Sequence, residues 1–538
     1  MDPNRSKAAR LLALLALLAL SAFLVACGGS SGDSSSGSTG GEATTTDSGE
    51  PVKGGTLKFA RTADADVGLN PIDAPSNGSI FTIQQVFDQL VEVGDGAEPV
   101  PGLAESWDTA KGGLVWTFHL RDAQFSNGEP VTAEDAKFSV DRFADPEINI
   151  NYATLGEAIE STKVVDPKTL QVNLEHVDGA FLDALSMFAA AIVPKKVVEQ
   201  VGDKAFAEQP VGSGPFEVTE YTRGQRTVLK KNPHYWRAGQ PYLDEVVFEY
   251  TPDANTRVLK LRSGEVDVAD GIPYNQVASL DGTEGITVQV SDSLKWDAIW
   301  LNNEEAPLDE LEVRQALNYA TPKEQILEAV LFGNATVANS VIPPVKYWDE
   351  AVEPYPFDLA KAEQLMAKSS VPDGFDLDLT IPSGDPVEKQ TAEIVKAEWA
   401  KIGVNVNIVQ QEFGTMFANW LEGKGGMAAT FPGDALSSDT LSDDEIAAIV
   451  YDPAAGLNSL GTGYENKKVI DLLGKAKGTL DEQVRGDAFA EVQSIVLEDA
   501  PAVPLFFTKS VTGVQDSVKG FQTYPIGWWP LREVWLEE

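Results

Sequence analysis

The chain has 538 residues, 41 Lys and Arg against 82 Asp and Glu, a formal net charge of −41 and a hydrophobic share of 43%. A chain this long divides into two or three lobes rather than growing one core, and can bury a cleft between them. The acidic balance, with no Lys/Arg stripe in the folded part, removes the footprint that phosphate backbones require, and one cysteine with three scattered histidines argues against a disulfide framework or a multi-ligand metal site.

Residues 1–26 read as a secretory leader: Arg5, Lys7 and Arg10 precede the apolar run Leu11–Leu20, which continues through Phe23, Leu24 and Val25. The run is shorter than the roughly 20 residues that span a bilayer. Leu24-Val25-Ala26-Cys27 resembles a bacterial lipoprotein cleavage box, which implies that the chain is cut before Cys27 and that this thiol is acylated. Residues 27–50 are a Gly/Ser/Thr tract with almost no apolar side chain, a tether with a random-coil reach of roughly 25–30 Å. Acyl chains contribute about 0.8 kcal/mol per buried methylene, and two or more make the anchorage lasting. The expected location is therefore the extracytoplasmic face of a membrane.

From Pro51 onward, short β-branched or aromatic runs alternate with amphipathic windows, the pattern of an α/β protein. Phe118, Leu120, Phe125 and Phe138 mark a strand-turn-helix passage, with Asn127-Gly128 as the turn and Thr132 as N-cap. Gly212, Gly214 and Pro215 indicate a turn with little side-chain volume, open to a ligand's main chain or to a neighbouring strand. Val246–Tyr250 reads as a strand, Asp253 as an N-cap, Ala254–Arg262 as a helix, Gly264 as its stop and Val266–Val268 as the next strand, a β-α-β unit in outline. Residues 388–402 carry Ile394, Val395, Trp399 and Ile402 at helical spacing before Gly403, and VNVNIV then alternates as a strand. Phe489, Val492, Ile495 and Val496 form the last apolar helical stripe, ahead of Val503, Leu505, Phe506 and Phe507.

Catalytic signatures are weak. The sole G-x-S-x-G, Gly28 to Gly32, falls in the tether, where no strand-turn-helix can present a nucleophile; phosphate-loop and zinc-helix motifs are missing from the sequence. Carboxylate pairs such as Asp443 and Asp444 are expected by chance among 82 acidic residues. No enzymatic activity and no cofactor is expected, with a secreted hydrolase as the alternative.

The stretch PVPGLAESWDTAKGGLVWTFHLRDAQFSNGEPVTAEDAKFSVDRF (Pro99 to Phe143) resembles the peptide/nickel-type solute-binding proteins, family 5, of bacterial ABC importers. Pro210–Val218, Leu229–Ala269, Leu308–Leu327 and Glu398–Phe413 resemble further landmarks of that family, in its order, so the likeness spans nearly all of residues 52–538. It implies a two-lobe periplasmic-binding-protein-like fold (type II, cluster C) with a small domain inserted in the first lobe. By analogy, lobe I comprises residues 51–90, 210–296 and 505–538, the inserted domain 91–209 and lobe II 297–504. It further implies an extracytoplasmic receptor, monomeric, that captures a peptide or peptide-like solute by hinge closure and passes it to an ABC permease and its ATPase subunits. A signalling receptor on the same fold is the other alternative.

In that family an aspartate of lobe II pairs the solute's ammonium group. The matching stretch here, Thr430 to Val450, places Asp439 at that position, with Asp434 and Asp443 as neighbours, while Leu436 stands where many peptide binders carry tryptophan. Trp296, Trp300 and Asn302, where the chain passes between lobes, supply aromatic walls and an amide to the cleft or else pack the hinge. No histidine lies near Asp439, which disfavours a nickel site.

Overall fold

The computed structural model describes residues 50–537, apart from 66, 74–75, 95–96, 151, 341, 345, 432–446, 449, 454–460 and 526. Cys27 and its tether lie outside the described residues. One large mixed sheet runs through both lobes. Its strands are β1 (Thr56–Arg61), β2 (Phe216–Thr222), β3 (Arg226–Lys231), β4 (Glu245–Tyr250), β5 (Val268–Ala269), β6 (Ile286–Leu301), β7 (Ala335–Val337), β8 (Phe375–Pro382), β9 (Val404–Gln411), β10 (Ala428–Thr430) and β11 (Ala502–Gln515). They lie in the order β9-β8-β10-β6-β11-β5-β1-β4-β3-β2, with β7 also on β11.

The β-α-β unit read from the sequence is present. β4 and β5 both pair parallel to β1, and α2 (Ala254–Arg262) crosses between them, capped by the Asp253 carboxylate on the Thr256 amide at 2.7 Å. At the far end, the helix Pro386–Trp399 ends through a single 3-10 turn at Gly403, whose φ of 86° suits glycine alone. β9 follows as an edge strand, with Val404 and Val406 inward and Asn405 and Asn407 outward, donating to Asp376 and Asp378 of β8.

Two long strands join the lobes. β6 pairs with β11 from Ile286↔Gln515 to Asp292↔Lys509 in lobe I and from Trp296↔Phe507 onward, where Trp296 and Phe507 already pack with lobe II residues, so the crossing lies a few residues from the expected bounds at 296 and 505, and the register slips between Asp292 and Trp296. The slip is a bulge at Ser293–Lys295, where the Ser293 hydroxyl donates to the Thr508 carbonyl at 2.6 Å. Beyond it both faces are covered, so β11 reads as the continuous apolar run Val503–Phe507. Trp296 and Trp300 share one face, packed with Phe417, Trp420, Phe431 and Phe489, while Ile299 and Leu301 face a second apolar cluster with Trp399 and Leu379.

The inserted segment forms a four-stranded antiparallel sheet (Ala104–Ala110, Val115–Leu120, Thr169–Leu174 and Ile159–Asp166) against the helix Ala133–Ala144, and Thr132 and Asp135 close a capping box at its start. Its apolar residues belong to the same cluster as those of lobe I. A Cβ at Gly212 would lie 2.0 Å from the Val86 carbonyl, so this glycine turn admits a neighbouring helix end, not a ligand. The insert also reaches lobe II. The Gly179 amide donates to the Lys477 carbonyl at 2.7 Å, Lys477 pairs with Glu157 at 2.7 Å, and Leu480 covers Gly113.

The C-terminal tail returns to lobe I. Trp529 packs on Phe59 at 4.4 Å between ring centres, and the Gln85 amide donates to its carbonyl. Arg532 meets Glu92 at 3.3 Å, and Arg237 donates to both Glu92 oxygens at 2.8 Å. Beside them the Asp88 carboxylate accepts from the Trp236 indole at 3.0 Å.

Burial, and then the nearby Glu92, push the Asp88 carboxyl up to about 6. A carboxyl raised on folding favours the native state while protonated, so this contribution is full below about pH 4 and is lost as pH rises to about 6. Asp88→Asn keeps an acceptor for Trp236 without the charge. Chemical denaturation at pH 4 and pH 7 is expected to show the variant gaining on the parent by up to about 3 kcal/mol. A pH-independent difference would contradict the assignment.

Candidate functional site

The parallel strands β1 and β5 of lobe I and β8 and β9 of lobe II end at one crevice, the usual place for a ligand in α/β sheets. It has a volume of about 1060 Å³, on the scale of a site enclosing a small molecule. Lobe I contributes Arg61–Ala63 at the end of β1, Asp270–Gln276 after β5, Asn77 and Phe81 of α1 (Asn77–Val86), Lys509–Thr512 of β11, and Trp529. Lobe II contributes Val330 of α3 (Lys323–Val330), Phe332, Gln410 and the first turns of α4 (Pro386–Trp399), including Lys389 and Gln390.

Arg61 forms the floor on the lobe I side. Its guanidinium donates to the Gly78 carbonyl at 3.1 Å and the Thr82 hydroxyl at 3.0 Å, and lies over the rings of Phe248 and Trp529 at 4.9 and 5.2 Å. Burial lowers its pKa to about 10, opposed by Asp270 and Asp64, so it remains a cation at neutral pH. Asp270 accepts from the Thr62 amide at 2.7 Å; burial raises its pKa, while Arg257 and Arg61 hold it down. Arg257 in turn donates to the Asp270 and Gly271 carbonyls at 2.9 and 2.8 Å, which fixes the loop after β5.

On the opposite wall, Asp385 caps α4 through the Val387 and Glu388 amides at 2.8 and 3.1 Å. Glu388 is buried beneath this turn, and desolvation together with Asp385 raises its carboxyl well above the ordinary range. The charged lining comprises Arg61, Lys295, Lys389 and Lys509 against Asp270, Asp385 and Glu393. Cations thus hold their own here among the described residues, in a chain where acids outnumber them 82 to 41. Such a wall suits a solute of mixed charge.

Asp434, Asp439 and Asp443 lie outside the described residues. The segment that carries them follows β10, where Thr430 pairs with Ile299 of β6. Trp296 and Trp300 are 3% and 1% exposed and sit in the lobe II core, away from the crevice lining. Asn302 is held by loop backbone, its amide hydrogen on the Met427 carbonyl at 2.9 Å. Reading the sequence missed Arg61, Asp270 and Phe332. A usable signal was a second charge closing the strand TLKFAR on its apolar side, and an aromatic before glycine at the end of an amphipathic helix.

The model of the bacterial extracellular solute-binding proteins, family 5, matches residues 98–455. Heme-binding protein A of Haemophilus influenzae is 30% identical over 502 residues, covering 87% of this chain and 90% of that protein. The glutathione-binding protein GsiB of Salmonella paratyphi A is 29% identical over 465 residues, covering 85% and 90%. The periplasmic binding protein DppA of Helicobacter pylori, solved with the peptide STSA, superposes with a TM-score of 0.77 at 28% identity, covering 90% of this chain and 99% of that one.

Proposed function

This chain belongs to the family 5 bacterial extracellular solute-binding proteins of ABC importers, and from that premise we propose that it captures a peptide or peptide-like solute by closing its lobes. The observation that carries the reading is the crevice itself, whose two walls belong to lobes joined by the paired strands β6 and β11. Contacts made only when both walls touch the solute shift an open-closed equilibrium, and the closed form is what the permease and its ATPase subunits read. A zwitterionic peptide fits the mixed lining. Arg61 or a crevice lysine faces its carboxylate, and an aspartate of the stretch Asp434 to Asp443, Asp439 foremost, faces its ammonium. The protein acts as a monomer, anchored extracytoplasmically through an acylated Cys27, and leaves the solute chemically unchanged.

The test is native mass spectrometry of the protein extracted from its membrane. One small solute is expected to be retained and, on denaturation, released at the mass at which it was supplied. Release of cleaved or otherwise altered material would instead support a hydrolase. In parallel, Cys27→Ser is expected to move the protein from the membrane to the soluble fraction; persistence at the membrane would remove the anchor from the reading.

A further inference from the structure

Phe332 occupies a position that local stability does not explain. It follows α3 and its C-cap residue Leu331, where the chain turns through left-handed backbone, the place glycine most often takes. Its φ is 53°, in a region a bulky side chain rarely adopts, and Gly333 follows at 76°. The turn is held firmly: the Gly333 amide donates to the Leu327 carbonyl at 3.3 Å, and the Asn334 side chain donates to the Leu331 and Phe332 carbonyls, both at 3.0 Å. Burial of the ring gives nothing back, for Phe332 is 54% exposed whereas its neighbours Val330 and Leu331 are buried at 5% and 0%. The ring lines the crevice from lobe II, and Ile272 and Tyr274 line it from lobe I. The turn continues into β7, whose Ala335 pairs with Thr508 beside the bulge between the lobes. A strained, exposed aromatic, over-determined by its surroundings and set on an element tied to the hinge, is what a ligand contact requires.

We propose that Phe332 is the lobe II residue that packs on the solute, and that it selects solutes carrying an aromatic or branched apolar group. This rests on the reading of the crevice as the site for a peptide-like solute. The probes are the tripeptides Ala-Phe-Ala, Ala-Leu-Ala and Ala-Ser-Ala, titrated calorimetrically into the full chain. The parent is expected to prefer the first two over Ala-Ser-Ala by about tenfold or more. Phe332→Gly is expected to abolish that preference, and Phe332→Leu to keep it within about threefold. Glycine relieves the turn, so the urea midpoint of Phe332→Gly is expected to rise; a fall would mean that the ring serves the fold and would overturn the proposal. Equal binding of all three peptides by the parent overturns the selectivity and leaves the peptide reading intact. Failure of every peptide to bind the parent overturns the peptide reading, and this inference with it.

Discussion

Glu92→Ala is expected to destabilise lobe I by about 3 to 5 kcal/mol, because it leaves two guanidinium groups facing each other in a site largely withdrawn from water. Glu92 accepts from Arg237 through both oxygens and lies 3.3 Å from Arg532, and all three side chains are largely buried. Arg237 also rests on the Trp236 ring at 4.3 Å, and Arg121 lies over the same ring at 3.9 Å, so the ion pair is tied to a wider cation-aromatic cluster. Three segments far apart in sequence meet here: the start of the insert, the loop around Tyr235 and the C-terminal tail. Losing the carboxylate therefore weakens their joint packing as well as one ion pair. Glu92→Gln keeps the volume and one acceptor, and is expected to lose less. Urea unfolding followed by near-ultraviolet circular dichroism measures both. A loss from Glu92→Ala below about 1 kcal/mol would place the cluster with ordinary surface pairs and refute the argument.

Asp439→Ala is expected to weaken solute binding by two to four decades, about 3 to 5 kcal/mol, if Asp439 faces a buried ammonium. The described part of the crevice sharpens this expectation. Its acids already have other work: Asp270 accepts from the Thr62 amide between two arginines, and Asp385 caps α4. Glu393 sits a full two turns into that helix, on its exposed side. A solute ammonium drawn into the closed crevice needs an acid with spare acceptors, and the stretch from Asp434 to Asp443 is the one the family resemblance points to. Calorimetry on Asp439→Ala with the retained solute decides the matter. A change under about fivefold would reject Asp439, and a large loss in Asp434→Ala or Asp443→Ala instead would reassign the role.

Elements whose ends are signalled locally were legible. Asp253 as cap, Ala254–Arg262 as helix and Gly403 as stop stand where propensity and capping put them, since a cap and a left-handed glycine depend on neighbours in sequence. The strand after α2 is shorter and later than read, Val268–Ala269, because β1 on one side and β11 on the other decide where pairing begins. The two-lobe α/β fold was legible through the family resemblance more than through periodicity. Arg61 was not legible: a charge at a strand end looks solvated until Phe81, Phe248 and Trp529 close over it. Trp296 and Trp300 were ambiguous because crevice walls and core both favour large aromatic rings. Only their place on β6, between the helices Phe413–Leu421 and Glu482–Asp499, puts them inside the lobe.

The return of the tail has a kinetic corollary. Phe59, near the start of the described chain, packs on Phe521 and Trp529, and β5 finds its second neighbour only in β11. Lobe I thus draws its interior from segments on either side of lobe II in the sequence, which encloses lobe II between them like a long parenthesis. A nascent chain that has not yet reached β11, Phe521 and Trp529 has no means of sealing that interior, so mature packing of lobe I must await that segment.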